Sequence, residues 1–289
     1  SDFGKIIVCI PSKSYFFQGK SYFCLLSELR KEYYLYHKFK INIVLGGILV
    51  IIPTYNEKEN VRKITSAIRS LPMHLDILFV DDGSPDGTGR IIREMMETDH
   101  HIHLIERSGK LGLGTAYIVG FKFGIQHGYD FICEMDADFS HQPKDLIRLI
   151  KACDNNYFDL SVGSRYVKGG GIQNWPSDRL FLSYGASLYV RVITWMNVKD
   201  PTAGFVCYKR QVLETIDLDK IKFVGYAFQI EMKFAAKSLG FRLKEIPIVF
   251  TDRVEGVSKM NKSIISEAIF GVIKMKWNSF WNSRSEEHT

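Results

Sequence analysis

Short apolar runs alternate with segments of helical periodicity, and this alternation is the feature that most constrains the fold. Ile48–Ile52 is a β-branched run that stops at Pro53, and Val61, Ile64 and Ile68 follow at helical spacing. The pattern continues through the predicted strands Leu75–Val80, Ile102–Glu106, Asp130–Met135 and Asp159–Gly163 and the predicted helices Thr88–Met96, Thr115–Gln126 and Pro143–Ala152. Strands that alternate with helices of this length predict an α/β protein with a mixed, mainly parallel sheet flanked by helices.

The two ends of the chain depart from this pattern. Residues before about Ile41 are rich in Tyr, Phe and Lys without helical or alternating periodicity, and the first methionine, Met73, already lies inside the pattern. We therefore expect residues 1–44 to be a non-domain extension and residues 45–283 to form one domain that carries the function. Residues 284–289 are interpreted as an artefactual tail.

Composition excludes several classes of protein. A net charge of +6 in 289 residues is too small to indicate a nucleic-acid-binding protein, although it suits anionic ligands or an anionic membrane surface. The five cysteines are odd in number and include no Cys-x-x-Cys pair, which favours a reducing cytosol over a disulfide framework. No apolar stretch approaches the roughly 20 residues that a membrane-spanning helix needs.

Acidic residues follow two of the predicted strands at the point where each strand ends. Asp81 and Asp82 follow one strand, and Asp136 and Asp138 follow another. Because parallel strands bind ligands at their carboxyl ends, these carboxylates should converge on one cleft, where they need a cation or hydrogen-bond donors. Oxygen ligands of this kind suit Mg²⁺ or Mn²⁺ together with substrate phosphates. The alternative, which applies to most isolated Asp-x-Asp sequences, is a solvated turn.

Cationic side chains lie in two further segments, each directly after an apolar run. Arg165 follows the fifth predicted strand, and Arg253 and Lys259 lie in a glycine-containing loop after Ile246–Phe250. Fixed cations beside a diphosphate hold the ligand and stabilise the charge that grows as the phosphate leaves. The alternative is a solvated basic loop.

Three other motifs are given structural interpretations. Asp86 belongs to the turn sequence Ser-Pro-Asp-Gly and is expected to shape its loop, whereas Asp82 is the better candidate to contact a nucleotide. The segment 112–114 (Gly-Leu-Gly) lacks the third glycine of a dinucleotide fingerprint and should open a helix. The histidines in residues 100–103 are interpreted as a surface loop rather than a metal site.

Together these motifs carry a family resemblance. From Ile48 to Trp281 the chain resembles the dolichol- and polyprenol-phosphate mannose synthases, inverting glycosyltransferases of the GT-A fold. The resemblance rests on the ordered motifs VIIPTYNE, VDDGSPDGT, KLGLGTAY, MDADFSH, GSRYVKGG, GYAFQIEM and DRVEGVSK. It implies an enzyme with a single catalytic domain that transfers mannose from GDP-mannose to a polyprenyl phosphate.

The resemblance also implies a role for individual residues. The pocket for the guanine nucleoside comprises Pro53, Tyr55, Glu57, Val80 and Asp82. The site for the divalent metal and the diphosphate comprises Asp136 and Asp138, with Ala137 between them against the nucleotide. The basic groups around the donor and lipid phosphates are Arg165, Arg253 and Lys259. Ser140 stands where some relatives place a glutamine as a third metal contact, and a serine can contact the metal only weakly or through water.

The implied chemistry is a single displacement at the anomeric carbon. The acceptor phosphate is already anionic near neutral pH, so positioning and electrostatic stabilisation carry the step without a required general base. A lipid acceptor implies peripheral attachment to the cytosolic face of a membrane, through a partner subunit or through the amphipathic segments Arg179–Met196 and Ile264–Trp281. The alternative for each segment is a helix packed on the core.

Two other functions remain open from the sequence. A sister enzyme would move glucose or a modified sugar from a UDP donor to the same lipid class, and the motifs GYAFQIEM and DRVEGVSK disfavour it. A non-catalytic nucleotide-sugar-binding subunit is disfavoured because the acidic triplet 136–138 and the basic groups are all present.

Overall fold

The computed structural model describes residues 7–10, 13–16, 47–154, 157–225, 227–252 and 271–277. The chain divides into two compact units, residues 1–44 and residues 45–289. In the first unit, strands β1 (Ile7–Ile10) and β2 (Lys13–Phe16) pair antiparallel. The sequence had not predicted this hairpin, because neither segment alternates clearly between apolar and polar residues.

A seven-stranded sheet forms the centre of the second unit. Its strands are β3 (Ile48–Thr54), β4 (Asp76–Asp81), β5 (Ile102–Glu106), β6 (Phe131–Glu134), β7 (Leu160–Ser164), β9 (Val206–Lys209) and β10 (Leu243–Pro247), in the spatial order β10-β7-β9-β6-β3-β4-β5. All neighbours pair parallel except β9, which runs antiparallel to both β6 and β7. The mixed, mainly parallel sheet predicted from the sequence is therefore confirmed. A separate parallel pair joins β8 (Gly171–Gln173) to β11 (Val249–Thr251).

Helices cover both faces of the sheet. They are α1 (Val61–Arg69), α2 (Thr88–Met96), α3 (Leu113–Gln126), α4 (Leu146–Asp154), α5 (Ser177–Thr194), α6 (Arg210–Thr215) and α7 (Ala227–Ser238), with further helix over 271–277. One buried core joins α1, α2 and α4 to the sheet, and a second joins α3, α6 and α7 to the opposite face. Gly120 lets α3 approach β3 closely, because a Cβ atom there would lie 2.6 Å from Ile51 Cγ2.

Two predicted helices begin at different residues in the structure, and the first of them, α3, begins at Leu113 rather than Thr115. The segment Pro143–Ala152 is not one α-helix, since Pro143–Asp145 forms a 3-10 turn and α4 begins at Leu146. The amphipathic segment predicted at Arg179–Met196 corresponds to α5, whereas most of Ile264–Trp281 lies outside the described residues. Within the part of the chain that the structure describes, no helix is both long and apolar enough to cross a membrane.

Candidate functional site

The carboxyl ends of β3 and β4 are joined through a buried aspartate. Thr54 pairs in register with Asp81, and Thr54 Oγ1 donates to Asp81 Oδ1 at 2.9 Å. The same carboxylate accepts hydrogen bonds from Ser84 N at 2.9 Å and from Ser84 Oγ at 2.6 Å, and Asp81 is only 1% exposed. Asp81 therefore fixes the loop that follows β4, and its charge is met by protein donors.

Asp86 organises the next part of this loop. Its carboxylate accepts from Thr88 N at 3.0 Å, from Thr88 Oγ1 at 2.6 Å and from Lys58 N at 3.2 Å. Partial burial alone would raise the pKa of Asp86, but these hydrogen bonds hold the pKa below its usual value. Gly87 completes the turn with φ of 91°, a conformation that favours glycine. Asp86 thus links the loops after β3 and β4, as its turn sequence predicted.

Asp82 forms a largely buried ion pair that the sequence did not reveal. Arg107 Nε donates to Asp82 Oδ1 at 2.6 Å, and Arg107 Nη1 donates to Thr115 Oγ1 at 2.7 Å. Burial raises the pKa of Asp82, although Arg107 acts against that rise. Arg107 directly follows β5, so the rule that functional groups stand at strand ends could have identified it. Asp82 is consequently a carboxylate with its own cation rather than part of an uncompensated acidic cluster.

The other residues assigned to a nucleoside pocket surround the carboxyl ends of β3 and β4. Val80 is fully buried in the core, whereas Pro53 and Tyr55 are half-buried. Lys110 Nζ lies 5.3 Å from the centroid of the Tyr55 ring. The Glu57 carboxylate accepts from Asn60 Nδ2 at 2.8 Å, just before α1 begins. The structure thus brings the strand-end residues of this set to one edge of the sheet.

The acidic triplet follows β6, which lies beside β3. The Asp136 side chain is 36% exposed, whereas Ala137 and Asp138 are buried at 3% and 8% exposure. Ser140 N donates to Asp138 Oδ1 at 3.0 Å across a turn in which Phe139 has φ of 60°. This turn holds the Asp138 carboxylate close to the backbone and leaves Asp136 facing outward.

The donor set of the triplet fits Mg²⁺ or Mn²⁺. These ions bind oxygen ligands and commonly take one or two carboxylates and complete their coordination with substrate phosphates. In the described ranges, no group of three His, Cys, Asp or Glu side chains is placed to hold a metal. The two carboxylates of Asp136 and Asp138 therefore suit an ion that arrives with a diphosphate. Ser140 is 2% exposed, and its backbone N rather than its hydroxyl is the group that contacts Asp138 in the described hydrogen bonds.

His141 supports the triplet from inside the protein. Its Nδ1 accepts a 3.5 Å hydrogen bond from Asp136 N and lies 3.8 Å from Asp136 Oδ2. Its ring stacks on Phe205 with 4.8 Å between centroids. Burial, with a smaller contribution from Arg165, lowers the pKa of His141 to about 4. His141 is therefore neutral near pH 7 and packs behind the triplet. The sequence offered only its position in MDADFSH as a clue.

Arg165 is held by a partner that the sequence did not reveal. Its Nε and Nη2 donate to the two carboxylate oxygens of Asp200 at 2.7 and 2.6 Å, and Nη2 also donates to Thr202 Oγ1 at 2.9 Å. The Arg165 guanidinium carbon lies 5.2 to 5.7 Å from the ring centroids of Tyr166, Trp175 and Phe250. Arg253 and Lys259, the other predicted cations, lie outside the described residues.

A buried polar network lies between β6 and α7. Gln229 Nε2 donates to Glu134 Oε2 at 2.5 Å, and Lys233 Nζ donates to Gln229 Oε1 at 3.0 Å and to Ala203 O at 2.7 Å. Burial raises the pKa of Glu134 to about 8, against the opposing charge of Lys233, and burial lowers the pKa of Lys233 to about 8. Glu134 lies two residues before Asp136, so the network connects α7 to the strand that presents the triplet.

Comparison with known proteins assigns the family. The model of glycosyl transferase family 2 matches residues 49–217, which contain the carboxyl ends of strands β3 to β9. The chain belongs to this family. It is 48% identical over 225 residues to a polyprenol monophosphomannose synthase of Mycolicibacterium smegmatis, covering 78% of this chain and 84% of the relative. It is 44% identical over 234 residues to an undecaprenyl-phosphate mannosyltransferase of Micrococcus luteus, and the match covers 81% of this chain and 96% of the relative.

Solved structures of other glycosyltransferases share the fold. A glucosyl-3-phosphoglycerate synthase of Mycobacterium tuberculosis, solved with Mn²⁺ and uridine diphosphate, matches with a TM-score of 0.55 and 15% identity, covering 81% of this chain and 80% of that one. The mannosyltransferase PcManGT of Pyrobaculum calidifontis, solved with GDP-mannose and Mn²⁺, matches with a TM-score of 0.50 and 17% identity. The match covers 90% of this chain and 82% of that one. At these identities the comparison shows the GT-A architecture, as the sequence predicted.

Proposed function

We propose that the protein transfers mannose from GDP-mannose to a polyprenyl phosphate and releases GDP. The observation that carries the proposal is the Asp136-Ala137-Asp138 triplet at the carboxyl end of β6, in a chain 44–48% identical to two mannosyl-transferring enzymes of this lipid class. Parallel sheets bind ligands at this edge. Residues 45–283 would form the catalytic domain.

The proposed nucleotide site lies around the ends of β3, β4 and β6. The residues proposed to form the nucleotide site are Pro53, Tyr55, Glu57, Val80, Asp82 and Ala137, and the fully buried Val80 would shape its wall. Asp136 and Asp138 would hold Mg²⁺ or Mn²⁺, which when bound neutralises charge on the diphosphate. Ser140 would contact the ion only weakly or through water, because a hydroxyl is a poorer ligand than a carboxylate.

The chain's own residues would act through position and charge. An oxygen of the acceptor phosphate attacks the anomeric carbon from the face opposite GDP, and the bond from that carbon to the diphosphate oxygen breaks with inversion. Arg165, Arg253 and Lys259 are the cations proposed to hold the donor and acceptor phosphates. The attacking oxygen is already anionic and needs no general base.

A lipid acceptor requires access to a membrane surface, and α5 provides a suitable face. Phe181 is 77% exposed and Trp195, directly after the helix, is 82% exposed, with Leu182, Tyr184, Leu188 and Val192 also exposed between them. Apolar and aromatic side chains of this kind anchor proteins in the interfacial region of a bilayer. We place the enzyme at the cytosolic face of a membrane, attached directly or through a membrane-anchoring partner subunit.

Donor competition tests the proposed reaction. Purified protein, a short polyprenyl phosphate and Mn²⁺ would be incubated with GDP-mannose or UDP-glucose, and the glycolipid product would be quantified. We expect product from GDP-mannose and little from UDP-glucose, and Asp138→Ala should remove nearly all of it. Product from UDP-glucose alone would make the protein a glucosyltransferase. Absence of product from either donor would support a binding subunit instead.

A further inference from the structure

The end of α5 carries a groove that the proposed reaction does not use. It has a volume of about 270 Å³. It is lined by Leu188, Arg191, Val192, Trp195, Met196 and Asn197. The lining residues, all within the described part of the chain, include one cation and no carboxylate. The groove therefore combines apolar walls with the polar side chains of Arg191 and Asn197 and carries one positive charge.

Two polar atoms near this groove are left without partners. Ser187 Oγ and Arg191 Nε are buried and, within the described residues, neither has a hydrogen-bond partner. The two residues stand one helical turn apart on α5 and therefore share a face. Buried donors are normally satisfied by protein, water or ligand. Arg191 also lines the groove, so its guanidinium can present hydrogen-bond donors to an oxyanion there.

A second cation lies at the rim of the groove. Lys276 Nζ is 4.6 Å from the centroid of the Trp195 ring, in the helical segment 271–277. Beside these charges, Trp195, Val192 and Leu188 are 82%, 61% and 48% exposed. Cations next to exposed apolar and aromatic groups match the two parts of a phospholipid, whose phosphate lies just above its acyl chains.

From this arrangement we propose that the groove binds the phosphate head group of an anionic membrane phospholipid. The Arg191 guanidinium would bind the phosphate oxygens, because its planar donors match that geometry. The acyl chains would lie against Leu188, Val192 and Trp195. The proposal rests on the membrane attachment proposed above, and it assigns the groove to a bulk phospholipid rather than to the acceptor lipid.

Vesicle binding tests the head-group site. The full-length protein would be sedimented with vesicles of phosphatidylcholine alone and of phosphatidylcholine with phosphatidylglycerol at a ratio of about 7:3. A basic residue at an anionic surface contributes roughly 1 kcal/mol, which corresponds to about a fivefold change in affinity. We therefore expect Arg191→Gln to weaken binding to the mixed vesicles about fivefold and to leave binding to phosphatidylcholine within about twofold.

Two matched variants separate a head-group site from other effects. Lys122→Gln removes a cation from α3, where Lys122 is paired with Asp219, and should bind like the wild type. Arg191→Lys keeps the charge and should recover at least part of the lost binding. Equal losses in Arg191→Gln and Lys122→Gln would overturn the proposal, as would failure of Arg191→Lys to recover any binding. A loss of equal size on both vesicle types would also overturn it.

A transfer assay in detergent distinguishes this site from the reaction itself. With GDP-mannose and a short polyprenyl phosphate, Arg191→Gln should keep a kcat within about twofold of the wild type. If that variant loses transfer in detergent, Arg191 serves the acceptor and the head-group proposal is wrong. If the wild type transfers no mannose but still prefers the mixed vesicles, the proposed reaction fails while the head-group site stands.

Discussion

Arg165 binds Asp200 through two parallel hydrogen bonds, from Nε to Oδ2 at 2.7 Å and from Nη2 to Oδ1 at 2.6 Å. Asp200 also accepts from the backbone N of Arg165 at 2.9 Å and is completely buried. The guanidinium is thus fixed before any substrate binds. If Arg165 binds a phosphate, it does so as a preorganised group whose charge is already shared with a carboxylate.

Asp200→Asn tests this arrangement. The substitution keeps the shape of the side chain but removes the charge that opposes Arg165, which is itself only 10% exposed. Breaking a buried pair of this kind destabilises a protein by about 3 kcal/mol. We expect the free energy of unfolding, measured in urea, to fall by about that amount, together with a lower kcat. As a control, Asp219→Asn removes an exposed pair with Lys122 and should change stability by less than about 1 kcal/mol. Similar stability of the two variants would show that the Arg165–Asp200 pair contributes little.

For the buried network of Glu134, Gln229 and Lys233 we predict that the effects of substitutions on the free energy of unfolding do not add. Lys233→Met removes the cation that opposes the rise in the pKa of Glu134, and Glu134→Gln removes the acid that faces the Lys233 ammonium, so each should destabilise the protein by about 3 kcal/mol. The double variant removes both titratable groups, so it should be more stable than the sum of the single losses predicts. Urea unfolding of the four proteins measures this coupling. Strictly additive losses would mean that the two charges do not interact.

Ser140 and Asp138 should differ sharply as metal contacts. Asp138→Asn should lower metal-dependent transfer by more than about 100-fold, because it weakens one of two carboxylate ligands. Ser140→Ala should lower it by less than about threefold, since a hydroxyl contributes weakly or through water. Titration of activity with Mn²⁺ distinguishes a change in metal affinity from a change in kcat. A Ser140→Ala variant as defective as Asp138→Asn would identify the serine as a direct ligand.

The lowered pKa of Asp159 predicts that this residue's contribution to stability is lost in acid. Its Oδ2 accepts from the backbone N of Arg242 at 2.8 Å, and although partial burial would raise its pKa, the contacts with Arg242 hold it below the usual 3.8. A lowered pKa in the folded state adds stability above pH 3.8, and that stability is lost as the pH falls through the folded-state pKa. Asp159→Asn should therefore be less stable than wild type at pH 6, and the difference should shrink as the pH falls below 3.8 and through the folded-state pKa. A constant difference in urea midpoint across this range would contradict the assignment.

The sequence predicted the strand ends because buried parallel strands leave a continuous apolar run that stops abruptly. Ile48–Thr54 and Asp76–Asp81 illustrate this, and the triplet after β6 was located by the same reasoning. The resemblance supplied the substrate class, which strand placement alone could not. The comparisons confirm the family, whereas the individual site residues remain predictions.

Long-range pairings could not be predicted from local patterns. The sequence placed Arg165 at a strand end but did not reveal Asp200, which lies 35 residues further along the chain. Arg107 was equally hidden as the partner of Asp82, 25 residues away. The antiparallel insertion of β9 between β6 and β7 likewise depends on how the chain returns to the sheet. None of these contacts leaves a periodic pattern in its own segment.

Transfer of radiolabelled mannose with and without a chelator tests the central proposal most directly. The assay contains the protein, GDP-mannose and a short polyprenyl phosphate, with EDTA in one arm and with EDTA followed by excess Mn²⁺ in another. We expect labelled lipid in the untreated arm, almost none with EDTA, and recovery with Mn²⁺, because without a cation the carboxylates of Asp136 and Asp138 would repel the diphosphate. Unchanged product in EDTA would contradict the proposed role of the triplet.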